Sequence, residues 1–143
     1  MNTHLETKAL FAGYNPADNH GAVKPPMHPA STFVFPSAAV GAAHMETAYG
    51  VDGAETPPEG GFIYSRLGNP TLSVAETRLA AWDESDAAAF FASGMAAIST
   101  MLFALTGPDK PIWYVGPLYG GTQHIVDDIL PSMGVSVKSM ESL

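Results

Sequence analysis

Ala87-Ala88-Ala89-Phe90-Phe91-Ala92-Ser93-Gly94-Met95-Ala96-Ala97-Ile98 is the stretch on which the fold turns. Its first six residues form a short apolar run with two phenylalanines, the pattern of a buried strand. Ser93-Gly94 breaks the run. Ile98, Met101, Leu102 and Leu105 then recur at i, i+3, i+4 and i+7, the stripe of an amphipathic helix. Gly107-Pro108 ends that helix. Downstream, Pro111 to Val115 reads as a second strand and Gly116-Pro117 through Gly120-Gly121 as a loop. Thr122 to Leu130 reads as a third helix, and Val135 to Val137 as the start of a third strand. Upstream, Asn69-Pro70 begins a helix, because Asn caps and Pro suits the first helical position. Leu72, Ala75, Leu79 and Trp82 follow at helical spacing. Helix and strand thus alternate three times over 61–143, which predicts an α/β fold on a parallel sheet. Open doubly wound sheets hold more strands than this, so the pattern predicts part of a larger domain.

Residues 1–60 differ. They hold 7 of the 12 prolines, at 16, 25, 26, 29, 36, 57 and 58. Lys24-Pro25-Pro26-Met27-His28-Pro29 is expected to be extended, since proline fixes φ and bars helix in the residue before it. Ser31-Thr32-Phe33-Val34-Phe35 continues that path, Ser37 to Tyr49 fits a short helix, and Gly50 to Gly61 reads as a loop. A domain boundary is therefore placed near residue 60, with an arm of little regular structure before it.

Composition narrows the function classes. Apolar residues make up 46% and charged residues 14% of the 143, unlike a charged disordered chain. The net charge is −8, with 6 basic and 14 acidic residues, so no basic patch for nucleic acid is visible. The absence of cysteine excludes disulfides and Cys-based zinc sites. No apolar run is long enough to span a bilayer, and the first eight residues lack a signal-peptide core. The expectation is a soluble cytoplasmic protein.

Three segments carry candidate chemistry. Phe91-Ala92-Ser93-Gly94-Met95 turns from strand end to helix start, where free N–H groups and the helix dipole favour phosphate and Gly94 permits close approach. An ordinary strand-to-helix turn has the same pattern. A serine-hydrolase elbow does not fit, because Phe91 and Met95 stand where it needs glycine. Gly61-Phe62-Ile63-Tyr64-Ser65-Arg66-Leu67-Gly68-Asn69-Pro70-Thr71 sets Tyr64 and Arg66 two apart. On an extended segment both would point the same way, Arg66 being suited to phosphate or else merely solvated. Gly116-Pro117-Leu118-Tyr119-Gly120-Gly121-Thr122 follows a strand, and Tyr119 suits stacking on a flat ligand or packing beside a turn. His124, Asp127 and Asp128 share a helical turn, which reads as a solvated face, and no metal site is expected. No P-loop occurs.

In order and spacing, Tyr64 to Thr71, Phe91 to Ile98 and Gly116 to Thr122 together resemble the Cys/Met-metabolism, or transsulfuration, enzymes that depend on pyridoxal 5'-phosphate (PLP). These include cystathionine γ-synthase and methionine γ-lyase. Gly21-Ala22-Val23, Pro25-Pro26 and Ser31-Thr32-Phe33 fit the same pattern. The resemblance implies a fold type I PLP-dependent transferase: an extended N-terminal arm, 1–60, contacting a neighbouring subunit, and the first βα units of the large PLP-binding domain, 61–143. That part would be an incomplete parallel or mixed sheet with helices on both faces. The resemblance further implies cofactor binding by Tyr64, Arg66, Ser93, Gly94, Met95 and Tyr119. Gly94 and Met95 would hold the phosphate through backbone N–H groups. Tyr119 would stack on the ring and act catalytically, and Tyr64 and Arg66 would reach the PLP of a neighbouring subunit. The implied assembly is a homodimer or homotetramer acting on an amino-acid substrate by β/γ-elimination or γ-replacement. The family's Schiff-base lysine lies much further along, in a Ser-x-Thr-Lys segment. Lys8, Lys24, Lys110 and Lys138 have no such setting, so the chain alone is expected to be inactive. The alternative is a non-catalytic fragment that docks on a full-length homologue as an interaction module, through its arm and Tyr64 and Arg66.

Overall fold

The computed structural model describes residues 4–54, 57 and 61–140. Residues 55, 56 and 58–60 of the expected loop Gly50–Gly61 lie outside them, as do the terminal residues 1–3 and 141–143. The chain divides into two compact units, Met1–Ala89 and Phe90–Leu143.

The first unit contains helix α1 (Leu5–Phe11), a 3-10 turn (Pro16–Asn19), α2 (Ala38–Ala48) and α3 (Pro70–Trp82). The N-terminal stretch carries more helix than its sequence suggests. Helix α1 has no side-chain cap at His4 and buries no residue, and it packs along α3. There Arg78 Nε donates to the Ala12 carbonyl at 3.4 Å. Helix α2 starts at Ser37, whose Oγ accepts from the Val40 N–H at 3.3 Å. The extended stretch after the prolines is tied to the later chain by an antiparallel bridge between Thr32 and Tyr64. Phe33 N–H donates to Ile63 O at 3.4 Å, and Ser65 N–H to Ser31 O at 2.9 Å.

His44 of α2 is buried and stacks on Phe35, with ring centroids 5.3 Å apart and planes at 23°. A Cβ built on Gly61 would lie 2.0 Å from His44 Nε2. Moving the imidazole aside disturbs its stacking on Phe35. Gly61→Ala is therefore expected to cost about 1–3 kcal/mol of overpacking, read as a lower thermal midpoint. Gly107→Ala, where the new methyl meets nothing within 4 Å, is expected to leave the midpoint within error.

The second unit contains α4 (Gly94–Leu105), β1 (Ile112–Val115), a helix α5 and β2 (Val137–Met140). Helix α5 opens over Gly120–His124, passes through a π-helical stretch over Ile125–Ile129 and closes over Leu130–Ser132. Strands β1 and β2 pair in parallel, from Ile112 opposite Val137 to Val115 opposite Met140. Leu102, Ile125, Val126, Leu130 and Val135 form the core, with Met95, Ile98, Ile112, Tyr114 and Leu118 packed against it. Alternation along β1 places Ile112 and Tyr114 inward and leaves Trp113 and Val115 exposed.

The expected strand Ala87–Ala92 is not formed. The sheet of the described residues has the order β1-β2, and this run is not one of its strands. Phe90 and Phe91 are accordingly 49% and 43% exposed. None of the described helices is long and apolar enough to cross a membrane.

Candidate functional site

The first turn of α4 is built from Ser93, Gly94 and Met95. Ser93 has extended backbone (φ −157°, ψ 159°), and its Oγ accepts from the Ala96 N–H at 3.1 Å. That bond satisfies one of the four donors a helix start leaves unpaired. The N–H groups of Gly94 and Met95 have no hydrogen-bond partner among the described residues. A Cβ built on Gly94 would meet nothing within 4 Å, so the space before the turn is open.

The loop after β1 closes on this turn. Thr122 Oγ1 lies 3.8 Å from Met95 Sδ. A Cβ on Gly121 would sit 3.0 Å from Met95 Sδ and 3.2 Å from Tyr119 Cε1. The close approach at Gly121 brings Tyr119, 73% exposed, beside the start of α4. Ser93, Gly94, Met95 and Tyr119 thus gather at the carboxyl end of β1, where open α/β sheets bind ligands. Gly121 lies inside the candidate segment Gly116 to Thr122 but was given no role of its own there. The Gly-Gly pair signalled a turn, but not which side chain would press against it.

Tyr64 and Arg66 come together in the first unit by a different route from the one expected. They do not lie on an extended segment. Leu67 and Gly68 N–H groups both donate to the Tyr64 carbonyl, at 2.8 and 3.1 Å, closing a turn. The turn, rather than strand alternation, brings the Arg66 Cζ to 5.8 Å from the Tyr64 ring centroid. Arg66 is exposed and forms no ion pair among the described residues. Its planar fork of donors is therefore available to an anion.

The other polar clusters are accounted for by packing. His124 Nδ1 is 2.7 Å from Asp128 Oδ2, both side chains being 66% exposed. Asp127 instead accepts from Tyr114 OH at 3.1 Å and from Gln123 Nε2 at 2.6 Å. The carboxylates of this turn therefore serve different partners. Lys138 Nζ stands 4.8 Å from the centroid of the Trp113 ring, the residue it faces across the sheet.

The comparisons agree with the segments that suggested a family. The family model for Cys/Met metabolism PLP-dependent enzymes matches residues 6–143. An L-methionine γ-lyase of Pseudomonas deceptionensis is 35% identical over 140 residues, 98% of this chain and 33% of its own length. A cystathionine γ-synthase of Mycobacterium bovis is 37% identical over 123 residues, 86% of this chain and 27% of its own. Among solved structures, a Campylobacter jejuni protein assigned as an O-acetylhomoserine (thiol)-lyase and holding N'-pyridoxyl-lysine-5'-monophosphate superposes with TM-score 0.77. It is 29% identical, over 98% of this chain and 32% of that one. A Lactobacillus plantarum cystathionine γ-lyase complexed with L-serine gives TM-score 0.72 at 26% identity, over 97% and 31% of the two chains. The chain belongs to the Cys/Met metabolism PLP-dependent enzyme family, and its fold is that of fold type I transsulfuration enzymes. It spans about a third of the length of these relatives.

Proposed function

We propose that this chain supplies the phosphate-binding part of a PLP enzyme that carries out β/γ-elimination or γ-replacement on sulfur-containing amino acids or activated homoserine. The open first turn of α4, set beside Tyr119, is the observation that carries this proposal. The residues fit the phosphate end of the cofactor: two free backbone donors, a glycine that admits close approach and a positive dipole end. Gly94 and Met95 donate their N–H groups to the phosphate, and Ser93 holds the helix start that aims them. Tyr119, exposed beside that turn, would pack against the cofactor's ring and offer its hydroxyl for proton transfer. Tyr64 and Arg66 serve the phosphate of a neighbouring subunit, which makes the working form a homodimer or homotetramer. PLP supplies the electron sink for carbanion chemistry.

None of the four lysines has the family's Schiff-base setting, and Lys138 is placed over Trp113. Titration of the 143-residue chain with PLP, then borohydride reduction and peptide mapping, is expected to give no single labelled lysine. Turnover of cystathionine or methionine is expected to stay at background. A saturable visible band trapped on one lysine would refute that expectation.

A second role, docking on a full-length homologue, is supported by the outer face of the sheet. Trp113 and Val115 are 55% and 49% exposed there, and Met140 of β2 is 43% exposed, whereas parallel sheets are normally covered on both faces. Recovery of such a homologue with the tagged chain, lost on Trp113→Ser, would favour it.

A further inference from the structure

We propose that Asn69 is a positioning residue that fixes the Tyr64–Arg66 turn for anion binding, an inference that rests on the function proposed above. Asn69 is 8% exposed, and its side-chain amide joins three pieces of chain. Its Oδ1 accepts from the Thr71 N–H at 2.9 Å, capping α3. Its Nδ2 donates to the His28 carbonyl at 3.0 Å, on the proline-rich stretch, and to Ser65 Oγ at 2.9 Å, inside the turn. Ser65 Oγ donates onward to the Ala30 carbonyl, and His28 N–H donates to Thr71 Oγ1 at 2.9 Å.

A helix cap requires one acceptor. The two amide protons do something more, since both are directed away from α3 to the segments on either side of the Tyr64–Thr32 bridge. Ser65 lies between Tyr64 and Arg66 in sequence. Anchoring it from both sides restricts the backbone that carries the exposed guanidinium, and anion recognition by a planar fork is sensitive to such placement.

Two substitutions separate placement from capping. Asn69→Ser keeps a neutral cap acceptor but is too short to reach both His28 O and Ser65 Oγ. Ser65→Ala removes the turn anchor and leaves the α3 cap untouched. Arg66→Ala tests the underlying anion site. Gly13→Ala is the stability control, because residue 13 has φ +69° and a Cβ there would lie 2.7 Å from Thr77 Cβ, remote from the turn in sequence.

The readouts are the PLP dissociation constant by equilibrium dialysis and the thermal midpoint. Arg66→Ala is expected to weaken binding by on the order of 100-fold, and Asn69→Ser and Ser65→Ala by about tenfold each. Gly13→Ala is expected to lower the midpoint and leave the dissociation constant unchanged. Affinity lost in Arg66→Ala but kept in Asn69→Ser and Ser65→Ala would overturn the positioning role alone. Affinity unchanged in Arg66→Ala would overturn the anion site and this inference with it. Equal losses in Gly13→Ala would also overturn it, by reducing the effect to stability.

Discussion

Leu130→Ala is expected to remove about 3–4 kcal/mol of stability, the largest effect of any truncation in the second unit. Leu130 is fully buried, at 0% exposure, in the cluster of Leu102, Ile125, Val126 and Val135. Its carbonyl also accepts the Met133 and Val135 N–H groups, at 3.1 and 3.0 Å, so the turn that returns the chain to β2 hangs from the same residue. Truncation loses the transfer free energy of three carbons and leaves a cavity that a helix tied at both ends fills poorly. The thermal midpoint should fall by roughly 10 °C. Met133→Ala, at a residue 56% exposed, should change stability by less than about 0.5 kcal/mol. A small effect of Leu130→Ala would mean that the core lies elsewhere. Helix α5 also sets Gly121 against Met95 and Tyr119, so loosening it should weaken the site as well.

Gly94→Asp should separate stability from binding, because the two respond with opposite sign. The added Cβ meets nothing within 4 Å, so the fold accepts it. A carboxylate at the first position of α4 faces the positive end of the helix dipole, worth about 0.3–1 kcal/mol of stabilisation. The same carboxylate stands where the phosphate is held. Two like charges about 4 Å apart repel by roughly 4 kcal/mol near a protein surface. PLP affinity should therefore fall by at least about 100-fold while the thermal midpoint holds or rises. Gly94→Ala should lie between, blocking close approach without adding charge. Joint loss of stability and affinity in Gly94→Asp would mean that the turn is a packing element rather than an anion site.

Much of this was legible in the residues. The stripe Ile98, Met101, Leu102, Leu105 gave α4, Ser93 and Asn69 gave their helix starts, and the Gly-Gly pair gave the loop before α5. What was not legible depends on partners distant in the chain. Helix α1 lacks a cap and forms against α3. The run Ala87–Ala92 carries strand composition but is not a strand of the sheet among the described residues. The spacing of Tyr64 and Arg66 showed that they share a locality, yet the turn that unites them is closed by backbone bonds no spacing predicts. Asn69 was readable as a cap, but its bond to the His28 carbonyl crosses 41 residues. The three family segments were nevertheless sufficient to place the chain, because they recur together in the family's order and spacing.

The most direct measurement is a titration of the isotopically labelled chain with PLP, followed by competition with inorganic phosphate, observing backbone amides by NMR. Binding at α4 predicts saturable shifts of the Gly94 and Met95 amides that are larger than those elsewhere in the second unit and are abolished by Gly94→Asp. Unmoved Gly94 and Met95 amides at saturating PLP would contradict the assignment of this turn as the phosphate site.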